Sequence, residues 1–151
     1  MCSARHPGEA RARVLVRDPG IDDWGPPLAR RLAAELARLH GLTAPIAGLD
    51  FLPLPEHPAA SRVAEYRGHL AALAVTNPVL ELALEVLAER APAKPRPTLV
   101  HADFRLGNVL VEAGELSAVL DWEFAAYGDP LEDLGWFLCR YWRFGRWHVE
   151  A

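Results

Sequence analysis

The chain has 151 residues, enough for one domain with a buried core. Hydrophobic residues make up 51% of it and charged residues 24%, a balance that excludes wholesale disorder and is typical of a soluble globular protein. The 16 basic and 20 acidic residues give a net charge of −4, so the composition lacks the positive charge of a nucleic-acid-binding protein. No apolar signal core or membrane-length apolar run occurs, so we expect a cytoplasmic protein outside the membrane.

Helical patterns dominate the first ninety residues. Residues 1–27 look irregular, because they are rich in Arg, Pro, Gly and Asp. Beyond them, apolar periodicity and capping residues predict three helices. The first is expected to begin at Pro26-Pro27 and end at Gly41. The second should run from a Ser61 cap to about Ala74, and the third from Asn77-Pro78 to about Arg90. The prolines and glycines of residues 41–58 predict a loop between the first two helices.

After a proline-rich link at residues 91–97 the pattern changes to short β-branched and apolar runs. These runs predict three strands, at Thr98–Val100, Val109–Val111 and Leu116–Trp122. The segment 112–115 between the last two strands is a plausible hairpin turn. A final helix is predicted from Asp129-Pro130 to about Trp142. The order of elements indicates an α+β fold in which helices dominate.

The residues that suggest chemistry are concentrated in and around this predicted hairpin. His101, Asp103 and Asn108 follow the first strand as H-x-D-x-x-x-x-N, and Asp121 and Glu123 stand at the end of the third strand. Phosphoryl transfer needs a carboxylate that orients the attacking hydroxyl, and hard oxygen ligands for Mg²⁺. We expect the hairpin to bring these oxygen-bearing side chains together.

The individual roles follow from residue type. Asp103 suits the carboxylate that accepts the hydroxyl proton, and Asn108 with Asp121 suits the magnesium ligands. Arg105 could neutralise charge on the transferring phosphoryl group. His101 is interpreted as a buried histidine that bonds to backbone in preference to a general base. A zinc site made of His101, Asp103, Asp121 and Glu123 is an alternative, although the asparagine and the spacing favour magnesium.

The segments HADFRLGNVLV, AVLDWEFAAYGDPLEDLGW and RYWRFG resemble the aminoglycoside phosphotransferase-like family, which is related to protein kinases and choline kinases. Within that family, the segments are most similar to the branch that includes domains found beside acyl-CoA dehydrogenases. The resemblance covers roughly residues 28–147, and its specific motifs lie within 99–137.

The resemblance implies a kinase-like C-terminal lobe, with ATP as phosphoryl donor, Mg²⁺ as cofactor and a hydroxyl on a small molecule as acceptor. It implies that Asp103 is the catalytic base, that Asn108 and Asp121 bind magnesium with assistance from Glu123, and that His101 organises the loop. Asp133 would anchor the catalytic loop.

Two departures from the family pattern are visible. Ala102 stands where the family usually has glycine, a change expected to affect little beyond loop flexibility. Residues 1–27 contain no glycine-rich loop, and Lys94, the sole lysine, stands too close to His101 to be the strand lysine that grips ATP. We therefore expect residues 28–151 to be part of a phosphotransferase domain without its nucleotide-binding lobe, truncated at its C-terminus as well. A fragment, a degraded gene product and one half of a split enzyme all fit this pattern.

Three functions stay open from the sequence. The leading hypothesis is a small-molecule kinase, which would act with a separate N-terminal lobe or a partner chain. The second is a non-catalytic lobe that binds a partner, and the third is a metal-dependent phosphohydrolase. Outside the motif, His40 is expected to meet the terminal carbonyls of its helix, while Trp136 and Phe137 are expected to pack in the core.

Overall fold

The computed structural model describes residues 7–42, 44–74, 76–93 and 96–143. Within those residues the chain forms five α-helices and two antiparallel sheets of two strands each. The elements are α1 (Ala12–Leu15), α2 (Ile21–His40), α3 (Pro58–Ala72), α4 (Pro78–Glu89), β1 (Thr98–Val100), β2 (Val109–Glu112), β3 (Glu115–Val119), β4 (Ala126–Gly128) and α5 (Pro130–Phe137). The α+β class and the dominance of helices are confirmed.

The core forms where α2 packs on the β2–β3 hairpin. Leu28, Leu32 and Leu36 recur every four residues, so they share one face of α2, and all three are buried. They contact buried residues of the loop after β1 and of β2, namely Phe104, Val109 and Val111. This packing lays the hairpin along α2, with the end of its second strand beside the C-terminal half of the helix.

The expectation that residues 1–27 are irregular is wrong over much of the part that the structure describes. Helix α1 forms at residues 12–15, and α2 begins at Ile21, so that Pro26 and Pro27 lie inside the helix. The extra turns are held by contacts of Trp24. Its Nε1 donates to Asp18 Oδ1 at 3.2 Å, and its side chain packs against Gly114 in the hairpin turn.

Gly114 has φ of +81°, and a Cβ added there would lie 2.6 Å from the Trp24 Cβ. Glycine is therefore required at this position by both the backbone angle and the packing. The contact joins the start of α2 to the hairpin turn. Local helix rules consider only residues close in sequence, so they do not predict it.

The hairpin is confirmed, with Val109 opposite Val119 and a register shift between Leu110 and Val111. Strand β3 ends at Val119 and not at Trp122, because Asp121 adopts a left-handed conformation with φ of +65°. Strand β4 was not predicted. It pairs with β1, and three residues are too few for a clear alternating pattern.

The remaining helices depart from the predictions at their ends. Helix α3 begins at Pro58 in place of Ser61, since proline fits the first helical turn, where its missing N–H leaves no bond unmade. The predicted Asn77 cap is confirmed, because its side chain accepts from the N–H groups of Val79 and Leu80. Helix α5 ends at Phe137, well before Trp142. Lys94 lies outside the described residues, and no helix within them is long and apolar enough to cross a membrane.

Candidate active site

A buried carboxylate fixes the loop that follows β1. The Asp133 side chain is fully buried, and it accepts from the backbone N–H of His101 (Oδ2, 2.9 Å) and of Ala102 (Oδ1, 2.8 Å). A buried carboxylate is costly unless hydrogen bonds compensate for its lost hydration, and these donors do so. The structure thus confirms that Asp133 anchors the loop.

His101 connects this loop to the end of the hairpin. Its ring is fully buried, with Nε2 2.8 Å from the carbonyl oxygen of Leu120, while Nδ1 accepts from the Asp103 N–H at 3.3 Å. This pattern assigns the proton to Nε2, since Nδ1 serves as an acceptor. Both ring nitrogens are therefore used by backbone groups, as expected of a loop-organising residue. His101 is therefore not placed to act as a general base.

The Asp103 carboxylate is bonded to both polar side chains predicted beside it. Asn108 Nδ2 donates to Asp103 Oδ2 at 2.6 Å and to the Asp103 carbonyl at 3.0 Å. Arg105 Nε lies 3.1 Å from Oδ1 and 3.2 Å from Oδ2 of the same carboxylate. Asp103, Arg105 and Asn108 are thus brought together as predicted. In this state the Arg105 charge faces Asp103, and its contact with a phosphoryl group stays a prediction.

Backbone bonds place Leu120, the residue before Asp121, beside Asn108 and His101. The Leu120 N–H donates to the Asn108 carbonyl at 2.8 Å, and the Leu120 carbonyl accepts from His101. Asp121 is the next residue, and its left-handed backbone turns the chain out of β3 into the 3₁₀ turn Trp122–Phe124. The side chains of Asp121 and Glu123 are exposed, with Glu123 inside that turn.

The residue types at this place decide which metal ions they could hold. Within the described ranges, no three His, Cys, Asp or Glu side chains are grouped so that they could hold a metal ion. The zinc alternative also needs a nitrogen of His101, and both are engaged with backbone. Asn108 commits its Nδ2 to Asp103, so its Oδ1 is the atom suited to a cation. An amide oxygen and the Asp121 carboxylate are hard ligands of the kind that Mg²⁺ prefers.

Ala102 has a larger effect than the sequence suggested. Its φ is +63°, in the left-handed region that alanine adopts only at an energetic cost. The two hydrogen bonds to Asp133 hold the loop in this shape. The expectation that replacing glycine by alanine affects little beyond flexibility is therefore wrong, since the alanine sits in a strained backbone.

Two functional neighbours were missed. Trp136 was expected in the core, but the residue is 40% exposed and its Nε1 lies 2.5 Å from Asp103 Oδ1. A sequence signal existed, because Trp136 stands three residues after Asp133 and therefore on the same side of α5. The expectation for Phe137 is confirmed, since it packs against the core with its ring centroid 5.7 Å from that of Phe104.

His40 is the second missed residue. The expected contact with helix-end carbonyls is replaced by one between its Nε2 and Asp133 Oδ2 at 2.9 Å. No local signal predicts this contact, because 93 residues separate the two positions and the packing of α2 on β1 creates their proximity.

Known proteins are similar to this chain in sequence and in fold. Acyl-CoA dehydrogenase family member 10 of Mus musculus is 30% identical over 137 residues, which are 85% of this chain and 13% of that protein. A Ralstonia eutropha protein assigned as an aminoglycoside phosphotransferase superposes with a TM-score of 0.72 at 18% identity, over 100% of this chain and 44% of that one. A macrolide 2'-phosphotransferase of Brachybacterium faecium gives 0.57 at 27% identity, over 82% and 47%.

The chain thus spans less than half the length of each of these relatives. The model of the phosphotransferase enzyme family matches residues 1–151, which include the loop, the hairpin and the anchoring helix α5. On this match, the chain belongs to the phosphotransferase enzyme family.

Proposed function

We propose that this chain supplies the acceptor and metal side of a small-molecule kinase that uses ATP and Mg²⁺. The observation that carries the proposal is the 2.6 Å bond between Asn108 Nδ2 and Asp103 Oδ2, with Asp121 tied to Asn108 through the backbone of Leu120. This arrangement matches a positioned carboxylate beside hard oxygen ligands, as phosphoryl transfer requires.

Asp103 orients the acceptor hydroxyl and takes its proton as the acceptor oxygen bonds to the γ-phosphorus and ADP leaves. Its side chain is 13% exposed, so a reacting hydroxyl can approach while most of the carboxylate is shielded from water. The bonds from Asn108 and Arg105 limit rotation of the carboxylate. Asn108 Oδ1 and the Asp121 carboxylate would hold Mg²⁺, which when bound neutralises phosphate charge.

Arg105 supplies positive charge at the same place. Its Nε is within 3.2 Å of both carboxylate oxygens of Asp103, so a phosphoryl group that reaches Asp103 also reaches this guanidinium. We assign it the stabilisation of transition-state charge. Glu123, exposed two residues beyond Asp121, is the candidate for assisting the metal.

The nucleotide would approach from a separate lobe, which either a further part of the polypeptide or a partner chain would provide. The acceptor is proposed as a hydroxyl on a small molecule. Aminoglycosides and macrolides, named for the two solved neighbours, are the first candidates to test.

A non-catalytic binding lobe is the second candidate. The observation that favours it is that residues 12–15 and 21–27 are helical and form no glycine-rich hairpin that could grip a nucleotide. Titration of the chain with MgATP, repeated in the presence of the lobe proposed above, separates the two candidates, because a folded protein that binds none in either form supports the second.

The test of the kinase proposal is transfer of labelled γ-phosphate from ATP to an aminoglycoside, a macrolide and simple amino alcohols, with the full polypeptide that carries this chain. Asp103→Ala should lower turnover by about 10²- to 10⁴-fold, the usual contribution of a general base. Asp50→Ala, a change in an exposed loop, is the matched control and should retain activity. Undiminished turnover by Asp103→Ala contradicts the assignment, and metal-dependent phosphate release without an acceptor supports a hydrolase.

A further inference from the structure

The hydrogen-bonding capacity of the Asp103 carboxylate is fully engaged. Each carboxylate oxygen accepts along two lone-pair directions. Oδ1 accepts from Trp136 Nε1 at 2.5 Å and from Arg105 Nε at 3.1 Å. Oδ2 accepts from Asn108 Nδ2 at 2.6 Å and shares the Arg105 donor at 3.2 Å. An acceptor hydroxyl that bonds to this carboxylate must therefore displace or share an existing donor.

The three donors differ in how firmly they are held. Asn108 is 4% exposed and also binds the Asp103 carbonyl, so its amide is fixed by two bonds. Arg105 divides one N–H between both oxygens, and its side chain is 26% exposed. Trp136 is 40% exposed and stands next to the last residue of an eight-residue helix. Trp136 is the most exposed of the three residues, so we take its indole as the donor that an incoming molecule displaces.

We propose that Trp136 is a positioning residue whose indole N–H holds Asp103 Oδ1 in the acceptor-free protein and yields that oxygen to the acceptor hydroxyl. The proposal rests on the proposed function, since it assigns Asp103 to the acceptor. The indole keeps the carboxylate oriented while the site is empty of acceptor. Its N–H and the hydroxyl compete for the same oxygen, so Trp136 sets how tightly an acceptor binds.

The contact itself is testable without any substrate, by nuclear magnetic resonance of the indole N–H groups. Because its bond to a carboxylate is shorter, the Trp136 proton should lie downfield of those of Trp24 and Trp122, and its exchange with water should be slow despite the exposure of the ring. Trp24 donates to Asp18 at 3.2 Å and Trp122 to the Val119 carbonyl at 3.2 Å, so both are internal references. Trp136→Phe identifies the signal by its loss.

Asp103→Asn provides the second arm of this experiment. It should move the Trp136 signal upfield and leave those of Trp24 and Trp122 in place. A Trp136 signal that exchanges as fast as a solvated indole in the unsubstituted protein overturns the proposal. The exchange rate of the Trp136 N–H in the unsubstituted protein therefore tests the proposal even if Asp103→Asn does not fold.

The kinetic test replaces the indole of Trp136 with 3-benzothienylalanine, which keeps the bicyclic ring and substitutes sulfur for the N–H. With an aminoglycoside or macrolide that serves as acceptor, we expect KM for the acceptor to fall about tenfold, because a competing charge-assisted bond is gone. We expect kcat to fall by a smaller factor, because the carboxylate is less well oriented. The same replacement at Trp24, whose N–H also binds a carboxylate, should change neither constant.

The outcomes separate this proposal from the proposed function. If the variant with 3-benzothienylalanine at position 136 transfers phosphate with an unchanged or raised KM for the acceptor, the role of Trp136 is overturned and the kinase assignment stays intact. A protected Trp136 N–H in a polypeptide that transfers no phosphate overturns the kinase assignment, and the positioning role falls with it.

Discussion

The Nε2 of His40 lies 2.9 Å from Oδ2 of Asp133, a bond that joins the last residue of α2 to the carboxylate that holds the loop after β1. The same oxygen accepts from the His101 N–H. The end of the helix, the loop and α5 are therefore connected through one buried side chain. Loss of any donor leaves part of that buried charge without its hydrogen bond.

His40→Ala should destabilise the protein by about 1–3 kcal/mol, because it leaves a lone pair of a buried carboxylate unpaired. His69→Ala is the matched control, since His69 also stands in the last turn of a helix but is exposed. Urea unfolding monitored by circular dichroism measures both. Equal losses in the two variants would show that helix-end electrostatics, and not the bond to Asp133, explain the effect.

Asp133→Asn should cost about 3 kcal/mol or more, since it removes the charge that accepts from His101, Ala102 and His40 and turns an NH₂ toward one of those donors. Asp129→Asn makes the same chemical change at the N-cap of the same helix, where asparagine caps as well as aspartate. Its expected loss is a few tenths of a kcal/mol. Similar denaturant midpoints for the two variants would refute the anchoring role.

Ala102→Gly should stabilise the protein by about 1 kcal/mol, because glycine adopts the φ of +63° without steric cost. The greater freedom of glycine in the unfolded chain opposes part of this gain. Ala71→Gly, at an exposed position within α3, should destabilise by a similar amount. The opposite signs of the two effects are the prediction, and a loss of stability in Ala102→Gly would contradict it.

Local chemistry predicted most of the elements and the motif, and tertiary packing supplied what the predictions lacked. The Asn77 cap and the β2–β3 hairpin follow from residue type and spacing, so both were found. The early start of α2 depends on Trp24 packing against the hairpin turn, which no local rule contains.

Within the site, the contact of Asp103 with Asn108 followed from a known motif. The contacts of Asp103 with Trp136 and of Asp133 with His40 join residues 33 and 93 positions apart, and their geometry depends on how the helices pack. The left-handed backbone of Ala102 was missed because alanine rarely adopts it.

Glu132→Gln should flatten the pH dependence of stability on the acidic side. Burial raises the pKa of the Glu132 carboxyl above its usual 4.5, and outweighs the opposing effect of Arg62, 3.0 Å away. Between the usual and the raised pKa, the folded state holds a proton that the unfolded state has lost. Stability should therefore fall as pH rises through this window.

Urea unfolding at a series of pH values measures that slope. Glu65→Gln is the control, because Glu65 pairs with the same Arg62 and the variant retains Glu132. The slope should persist in Glu65→Gln and weaken in Glu132→Gln. An equal slope in the unsubstituted protein and in Glu132→Gln would show that other groups cause it.

Paramagnetic Mn²⁺, used in place of Mg²⁺, tests whether Asn108 and Asp121 hold a cation beside the Asp103 carboxylate. Addition of Mn²⁺ should broaden the indole resonance of Trp136, which contacts Asp103, well before that of Trp24, which lies at the opposite end of the hairpin. Asp121→Ala should abolish this selective broadening, and Asp129→Asn should preserve it. Equal broadening of both indoles, or selective broadening that survives Asp121→Ala, would contradict a cation centre at these residues.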